Sequence, residues 1–146
     1  MSKILLINGP NLDLLGKREP DVYGDITLEE IEVTLTKICS KAGDNIICFQ
    51  SNAEHEILDL IHRSKEEQYD IIIFNPAAFT HTSVAIRDAL LAIQMPFIEV
   101  HISNINRRED FRKKSFFSDI AIGTITGFGI ASYEAALVAA KSYLKK

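Results

Sequence analysis

Five short apolar runs alternate along this chain with segments of helical spacing. The runs are KILLI from Lys3, NIICFQ from Asn45, DIIIFN from Asp70, FIEV from Phe97 and IAIGTIT from Ile120. Strands that are apolar throughout are typical of a parallel sheet with both faces covered. Since strands and helices alternate, each connection is expected to be a right-handed crossover. The sequence therefore predicts a doubly wound α/β domain of three layers, like flavodoxin, with a five-stranded parallel sheet.

The segments between the runs carry apolar residues at spacings of three and four, which predicts helices. TLEE at Thr27 has the form of a capping box and marks the start of the first helix. The second is predicted over residues 54–64, the third over residues 83–93, and the last from Ser132. The first three are expected to bury these stripes against the sheet: Leu28, Ile31, Leu35 and Ile38; then Ile57, Leu58 and Ile61; then Ile86, Leu90 and Ile93.

Polar residues follow the apolar runs at the points where the predicted strands end. They are Asn8 and Asn11 after the first run, Gln50, Ser51 and Asn52 after the second, Asn75 and His81 after the third, and His101 and Ser103 after the fourth. In a sheet of this kind the ligand binds beyond the carboxyl ends of the strands, near the reversal of strand order. We therefore expect this edge of the sheet to hold the functional site.

The connection after the first run is too long to be a simple turn. Residues 8–24 read NGPNLDLLGKREPDVYG, whereas a strand-to-helix connection usually takes about two to six residues. Long loops are either functional or disordered, and this one mixes Asn11, Arg18 and Tyr23 with apolar and proline positions, unlike a solvated linker. We expect it to supply residues to the site.

Composition argues against several classes of protein. With 146 residues, 47% of them apolar and 25% charged, the chain is expected to form one domain, residues 1–146, with a substantial core. A net charge of -4 argues against nucleic acid as the main partner. The sequence shows neither an apolar run of membrane-spanning length nor a secretion signal, which predicts a cytoplasmic protein with no membrane association.

A nucleotide cofactor is the first alternative that a doubly wound fold suggests, and the sequence does not favour it. NGPNLDLLG lacks the GxGxxG spacing of dinucleotide sites and the Ser, Thr and Gly content of flavin mononucleotide loops. Asp13, Asp21 and Asp25 lack ligand spacing, and Cys39 and Cys48 form no CxxC pair, so no metal site is predicted. A flavodoxin-like module that binds a nucleotide or another anion stays open as the alternative function.

His101 is the first candidate for acid–base chemistry. In IEVHIS, strand alternation places it on the same side as Glu99, whose carboxylate can orient the imidazole. A single histidine at a strand end is more often structural, but the polar residues of the neighbouring strand ends are expected at the same rim. His55 and His62 lie on a predicted helix without such neighbours and are interpreted as surface residues.

Four segments together resemble the successive motifs of type II 3-dehydroquinate dehydratase. They are NGPNLDLLGKREPDVYG, FQSNAEHEILD, FNPAAFTHTS, and EVHISN followed by REDFR, and GFG near the carboxyl terminus continues the resemblance. It spans essentially the whole chain, in order and at matching spacing. Two positions depart from the usual family pattern: Asp13, where asparagine is common, and Asn106, where histidine is frequent. Neither position carries chemistry in the family.

The resemblance implies an enzyme without cofactor that removes water from 3-dehydroquinate, giving 3-dehydroshikimate by anti elimination through an enolate. It would serve the shikimate pathway of aromatic amino-acid biosynthesis, or quinate breakdown. The resemblance also implies roles for four residues: Tyr23 as general base, His101 as general acid, Arg18 as activator of the tyrosine, and Asn11 as a holder of the water that stabilises the enolate oxygen.

For substrate binding, the resemblance implies a carboxylate site at the Ile102 amide and Ser103. It implies a hydroxyl-binding set of Asn75, His81, Asp88 and Arg112. Asp88 is implied to act across a subunit boundary, in a homo-oligomer that is a dodecamer built as a tetramer of trimers. Glu99 is the candidate partner of His101. A further group is interpreted as a solvated basic face that also attracts an anionic substrate: Arg107, Arg108, Lys113 and Lys114.

A tyrosine base places a physical demand on the loop of residues 8–24. A free tyrosine has a pKa of about 10, so ionising it near neutral pH requires roughly 4 kcal/mol in favour of the phenolate. A guanidinium about 4 Å away supplies about 1 kcal/mol in water and about 4 kcal/mol at an effective dielectric constant near 20. An arginine is effective only where water is excluded, so we expect the loop to act as a lid over the substrate.

Overall fold

The computed structural model describes residues 1–145, and these contain one parallel sheet of five strands. The strands are β1 (Lys3–Asn8), β2 (Asn45–Gln50), β3 (Ile71–Asn75), β4 (Phe97–His101) and β5 (Gly123–Thr126), in the order β2-β1-β3-β4-β5. The helices are α1 (Pro20–Tyr23), α2 (Leu28–Lys41), α3 (Glu54–Arg63), α4 (Val84–Ile93) and α5 (Ile130–Leu144). All neighbouring strands are parallel, which confirms the predicted doubly wound, flavodoxin-like α/β fold.

Two apolar cores lie on opposite faces of the sheet and produce the three layers. Leu6 of β1 packs in one core with Leu35 of α2 and Leu137 of α5. Its neighbour Leu5 points to the other face and packs in the second core with Ile57 of α3. Because successive side chains of a strand alternate between two covered faces, β1 has to be apolar throughout.

The buried stripe of α2 differs from the prediction at one position. Ile38 is 39% exposed, and Cys39, which is 2% exposed, takes its place in the core. Cys39 follows Leu28 by close to three full helical turns, whereas Ile38 lies about 80° away around the helix axis. The prediction for Ile38 is therefore wrong, because the helical period places Cys39, and not Ile38, on the buried face of α2.

Two other predicted core residues, Leu58 and Ile93, are only half-buried. In α3 the buried residue is Leu60, which follows Ile57 by three positions and so shares its face, whereas Leu58 points to the side. Ile93 is the last residue of α4 and packs at the margin of its core.

Hydrogen bonds set the ends of the elements. The Thr27 side chain accepts from the Glu30 N–H and the Glu30 side chain accepts from the Thr27 N–H, both over 3.2 Å, which confirms the capping box. The sequence pattern predicts the last strand from Ile120, but the Ile120 N–H donates to the Phe117 carbonyl in a turn. The strand therefore begins later, at Gly123.

No helix in the described part of the chain is both long and apolar enough to span a bilayer. Residues 1–145 also contain no group of three His, Cys, Asp or Glu side chains placed to hold a metal ion. Cys39 and Cys48 are free thiols. The cytoplasmic location stays a prediction.

The strand order reverses between β1 and β3. The chain leaves β1 for β2 on one side and places β3 on the other. Asn8, the last residue of β1, is in register with Gln50 of β2 and Asn75 of β3. A ligand crevice is expected beyond the carboxyl ends at such a reversal, so the loops after β1, β3 and β4 are the ones that can form a site.

Candidate active site

The loop of residues 8–24 is tied to the sheet edge at its start. The Gly9 N–H donates to the Asn75 carbonyl over 2.8 Å. A Cβ at position 9 would lie 2.4 Å from the carbonyl oxygen of Pro76, so only glycine allows this approach. Asn11, with a φ of 68°, then donates its N–H to Asn52 Oδ1 over 2.9 Å. The loop therefore leaves the sheet in a fixed direction.

The far part of this loop folds back over the sheet edge and presents Tyr23. Leu12 and Leu15 are buried in the core and anchor the middle of the loop. The short helix α1 carries Tyr23, whose hydroxyl accepts a hydrogen bond from Arg108 Nη1 over 2.6 Å. The Arg18 guanidinium lies 4.8 Å from the centroid of the same ring. Two guanidinium groups therefore flank one phenol.

Most of the predicted site residues line one narrow pocket beyond the ends of β3 and β4, here called the polar pocket. Its lining is Leu12, Arg18, Tyr23, Asn75, Ala77, His81, His101, Ile102, Ser103, Ile105, Arg108 and Arg112. Asn11 and Asp88 are exposed and lie outside this lining. Glu99 lies behind His101, to which it is hydrogen-bonded. The structure therefore brings together the residues predicted from all three loops.

A wider cavity of about 560 Å³ adjoins the polar pocket, which encloses about 40 Å³. The two cavities share Tyr23 and Arg108, among other residues. We assign the site to the polar pocket, because His81 and His101 line this pocket and do not line the wider cavity. The polar pocket is much the smaller of the two cavities.

His101 and Glu99 form a buried hydrogen-bonded pair at the end of β4. His101 Nε2 lies 2.5 Å from Glu99 Oε2. The Ser115 and Ser118 hydroxyls also donate to this carboxylate, over 2.9 and 2.8 Å. Burial raises the pKa of the Glu99 carboxyl, but the hydrogen bond and charge of His101 and the two serine hydroxyls outweigh it and hold that pKa below its ordinary value. An ionised Glu99 can orient His101 and stabilise its imidazolium form.

His81 has the opposite character and is held neutral. Its Nδ1 lies 2.7 Å from the Lys114 carbonyl, which can only accept, so Nδ1 carries the proton. Desolvation lowers the pKa of His81, and the positive charges of His101 and Arg112 lower it further, against the opposing effect of the Lys114 carbonyl. The neutral ring leaves Nε2 as a hydrogen-bond acceptor in the polar pocket.

The backbone after β4 offers hydrogen-bond donors. The N–H groups of Ile102 and Ser103 donate to no backbone carbonyl within residues 1–145. Ser103 adds a hydroxyl, and Arg112 adds positive charge to the same pocket. Backbone N–H groups in a loop next to positive charge suit an anionic group such as a carboxylate.

Arg108 is a residue of the polar pocket that sequence reasoning missed. It is interpreted above as part of a solvated basic face, but its side chain is only 13% exposed and contacts the Tyr23 hydroxyl. Arg107 and Lys113 are exposed, as predicted. Arg108 and Tyr23 are 85 positions apart, and a contact of that range leaves no periodic pattern. The one local signal is a spacing of four between Arg108 and Arg112.

The lowered pKa of Glu99 has a consequence for stability. Because the folded protein holds this proton less tightly than the unfolded chain, the ionised carboxylate stabilises the fold above its ordinary pKa of 4.5. We expect wild type to exceed Glu99→Gln in free energy of unfolding by about 1 to 3 kcal/mol at neutral pH. The margin should shrink as the pH falls from 4.5 through the lower pKa of the folded protein.

Urea denaturation of both proteins across this pH range measures the margin. Glu67→Gln is the matched control, because Glu67 pairs with Arg63 on the surface over 2.9 Å and exposed pairs contribute little. A margin for Glu99→Gln that stays constant with pH would show that this carboxyl is not ionised in the fold.

Comparison with known proteins agrees with this geometry. The chain matches a family model described as Dehydroquinase class II over residues 2–141. It is 57% identical over 142 residues to the 3-dehydroquinate dehydratase of Hahella chejuensis, covering 97% of each chain. It is 59% identical over 140 residues to that of Cellvibrio japonicus, covering 96% of this chain and 95% of the relative.

A solved structure gives the same result. The type II dehydroquinase from Butyrivibrio crossotus superposes with a TM-score of 0.94 at 41% identity, covering 96% of this chain and 97% of that one. A second, from Propionibacterium acnes, superposes with a TM-score of 0.90 at 39% identity, covering 97% of each chain. The chain therefore belongs to the class II dehydroquinase family.

Proposed function

We propose that this protein is a lyase that removes water from 3-dehydroquinate to give 3-dehydroshikimate, with no cofactor and with residues 1–146 as one catalytic domain. The observation that carries the proposal is the convergence of Tyr23, from the loop that covers the polar pocket, and His101, from the sheet beneath it. The names of the relatives point to the substrate. Aromatic amino-acid biosynthesis and quinate breakdown are both open as its pathway.

Elimination of water needs a base for the proton next to the keto group and an acid for the departing hydroxyl. We assign the base to Tyr23 and the acid to His101. An anti elimination uses the two faces of the substrate ring, which suits a base on the covering loop and an acid on the strand. The intermediate is an enolate, and we assign Asn11 to hold a water near its oxygen.

Arg108 supplies the positive charge that Tyr23 needs as a base. Its Nη1 donates to the Tyr23 hydroxyl, and a charge-assisted hydrogen bond to this oxygen favours the phenolate. Arg18, which the resemblance implies as the activator, lies over the face of the ring and pairs with Glu19 over 2.7 Å. We therefore assign the hydroxyl contact to Arg108, while Arg18 adds positive charge and covers the ring.

Glu99 prepares His101 to act as the acid. The Nε2–H of His101 donates to the Glu99 carboxylate, so the imidazolium form has its second N–H, on Nδ1, for the leaving hydroxyl. Ser115 and Ser118 hold the carboxylate in place through their hydroxyls. Glu99 is thus a positioning residue that acts through His101.

The rest of the polar pocket suits the substituents of a hydroxylated ring with one carboxylate. The N–H groups of Ile102 and Ser103 are assigned to the carboxylate. Asn75, His81 and Arg112 are assigned to the ring hydroxyls, since each offers a polar group to the pocket. These assignments follow the family resemblance residue by residue.

Movement of the loop would admit a substrate to the polar pocket. In this form the pocket has a volume of about 40 Å³, against about 560 Å³ for the adjoining cavity. Gly16 and Gly24 have φ values of 86° and 81° and bound the segment that carries Arg18 and Tyr23. We propose that this segment opens between the two glycines and closes over the substrate, excluding water from the phenolate.

Replacing Tyr23 with phenylalanine removes only the transferable proton and its oxygen. We expect kcat of Tyr23→Phe to fall by about 100- to 10,000-fold, with substrate affinity within a few fold. The rise in enone absorbance measures turnover, and calorimetry measures binding. Tyr69→Phe is the control, because Tyr69 packs against Lys3 away from the pocket.

Retention of wild-type kcat by Tyr23→Phe would show that the base is another group. Wild-type protein that forms no enone from 3-dehydroquinate, but binds a nucleotide tightly, would contradict the proposal and favour the anion-binding module.

Loss of the Arg108 charge should weaken the base without removing it. We expect Arg108→Met to lower kcat by about 10- to 100-fold, the equivalent of one charged hydrogen bond, and to move the pH–rate profile to higher pH. Arg63→Met is the control, since Arg63 is an arginine on the surface, paired with Glu67. A drop in kcat with an unmoved pH profile would contradict the electrostatic role.

Asp88 lies on the exposed side of α4, outside the polar pocket of its own chain. We propose that it completes the site of a neighbouring subunit in a dodecamer built as a tetramer of trimers. Sedimentation of the purified protein tests the assembly. Subunits carrying Asp88→Asn and subunits carrying His101→Asn, refolded together, should then show more activity than the two separate proteins. No gain on mixing would place Asp88 in the site of its own chain.

A further inference from the structure

A chain of hydrogen bonds runs through the interior from the polar pocket to the end of β1. Asn75 Nδ2 donates to the Tyr133 hydroxyl over 2.8 Å, and this hydroxyl lies 2.6 Å from Asn8 Oδ1. Tyr133 is on α5, and it and Asn8 have no exposed surface, while Asn75 is 3% exposed. Only Asn75 lines the polar pocket. Tyr133 therefore contacts the site through Asn75.

The backbone N–H of Ala77 sets the donor and acceptor of every hydrogen bond in this series. The Ala77 N–H donates to Asn75 Oδ1 over 3.1 Å, and an N–H cannot accept. The Asn75 amide must therefore turn its oxygen to Ala77 and its nitrogen to Tyr133. The Tyr133 hydroxyl has one proton, so it accepts from Asn75 and donates to Asn8. Burial raises the pKa of Tyr133, which keeps that proton on the oxygen.

The orientation of the Asn8 amide follows from these hydrogen bonds. Its Oδ1 accepts from Tyr133, while its Nδ2 is buried without a partner among residues 1–145. A buried donor left unpaired costs about 1 to 3 kcal/mol. The hydrogen bond from Tyr133 thus sets the orientation of the Asn8 amide, although this orientation leaves Asn8 Nδ2 unpaired.

We propose that Tyr133 is a positioning residue that holds the Asn75 amide with its second N–H directed into the polar pocket. Asn75 then acts there only as a donor. His81 offers the opposite polarity, because its Nε2 accepts. A substrate hydroxyl can accept from Asn75 and donate to His81 at once, whereas a keto or ether oxygen can only accept. The identity of the substrate in this inference rests on the proposed function.

The test is a double-mutant cycle of Tyr133→Phe and Asn75→Ala, read by turnover of 3-dehydroquinate. Tyr133→Phe keeps the buried ring and removes the hydroxyl, so that the Asn75 amide is held by the Ala77 N–H alone. We expect KM to rise about tenfold, with kcat within about twofold of wild type. In the Asn75→Ala background the same change should alter KM by less than about twofold, since Tyr133 acts through Asn75.

Ser64→Ala is the matched control for a lost buried hydroxyl. Ser64 has no exposed surface and donates to the Ile61 carbonyl over 2.8 Å, outside the polar pocket. Its substitution should lower the melting temperature and leave KM unchanged. If Tyr133→Phe behaves in the same way, or raises KM equally in both backgrounds, the positioning role is overturned.

A second measurement does not depend on activity. The side-chain amide resonances of Asn75, observed by NMR in the free protein, should shift in Tyr133→Phe and stay in place in Ser64→Ala. If wild type fails to turn over 3-dehydroquinate, the proposed function fails, and these resonances still decide the positioning role. Unshifted Asn75 resonances in Tyr133→Phe would overturn it.

Discussion

The reversal of strand order between β1 and β3 is the constraint on which the site depends. It opens a crevice beyond the ends of these strands, where the departing loops must satisfy their backbone groups without further sheet. Gly9 meets this demand by donating to the Asn75 carbonyl, so close to Pro76 that no side chain fits. The first loop therefore starts in contact with the loop after β3. Its long return path ends over the pocket that these loops form.

A buried carboxylate, that of Glu99, connects His101 to the loop before β5. A buried charge is stable only when it is paired or hydrogen-bonded. The Glu99 carboxylate is hydrogen-bonded to His101 on its own strand and to the hydroxyls of Ser115 and Ser118. The same segment supplies the Lys114 carbonyl that accepts a hydrogen bond from His81 Nδ1. One segment thus holds two side chains of the site in place: Glu99, which is hydrogen-bonded to His101, and His81.

Three arginines line the polar pocket although the chain as a whole carries a net charge of -4. Arg18 and Arg108 flank the Tyr23 ring, and Arg112 lines the same pocket. The effect of these guanidinium groups on a phenolate would depend on the local dielectric, and therefore on how far the loop excludes water. A loop long enough to fold back over the pocket can both carry Tyr23 and cover it.

Local patterns in the sequence determined the elements of this protein and most of its site. Apolar runs and helical periods predicted the five strands and the main helices, and the motifs after the strands identified residues such as Asn75 and His101, because parallel strands end at one edge. Only the tertiary structure decided which charges and amides meet there. Arg108 reaches Tyr23 and Tyr133 reaches Asn75 across 85 and 58 positions. Such contacts arise from the packing of whole elements, and packing leaves no periodic signal in the chain.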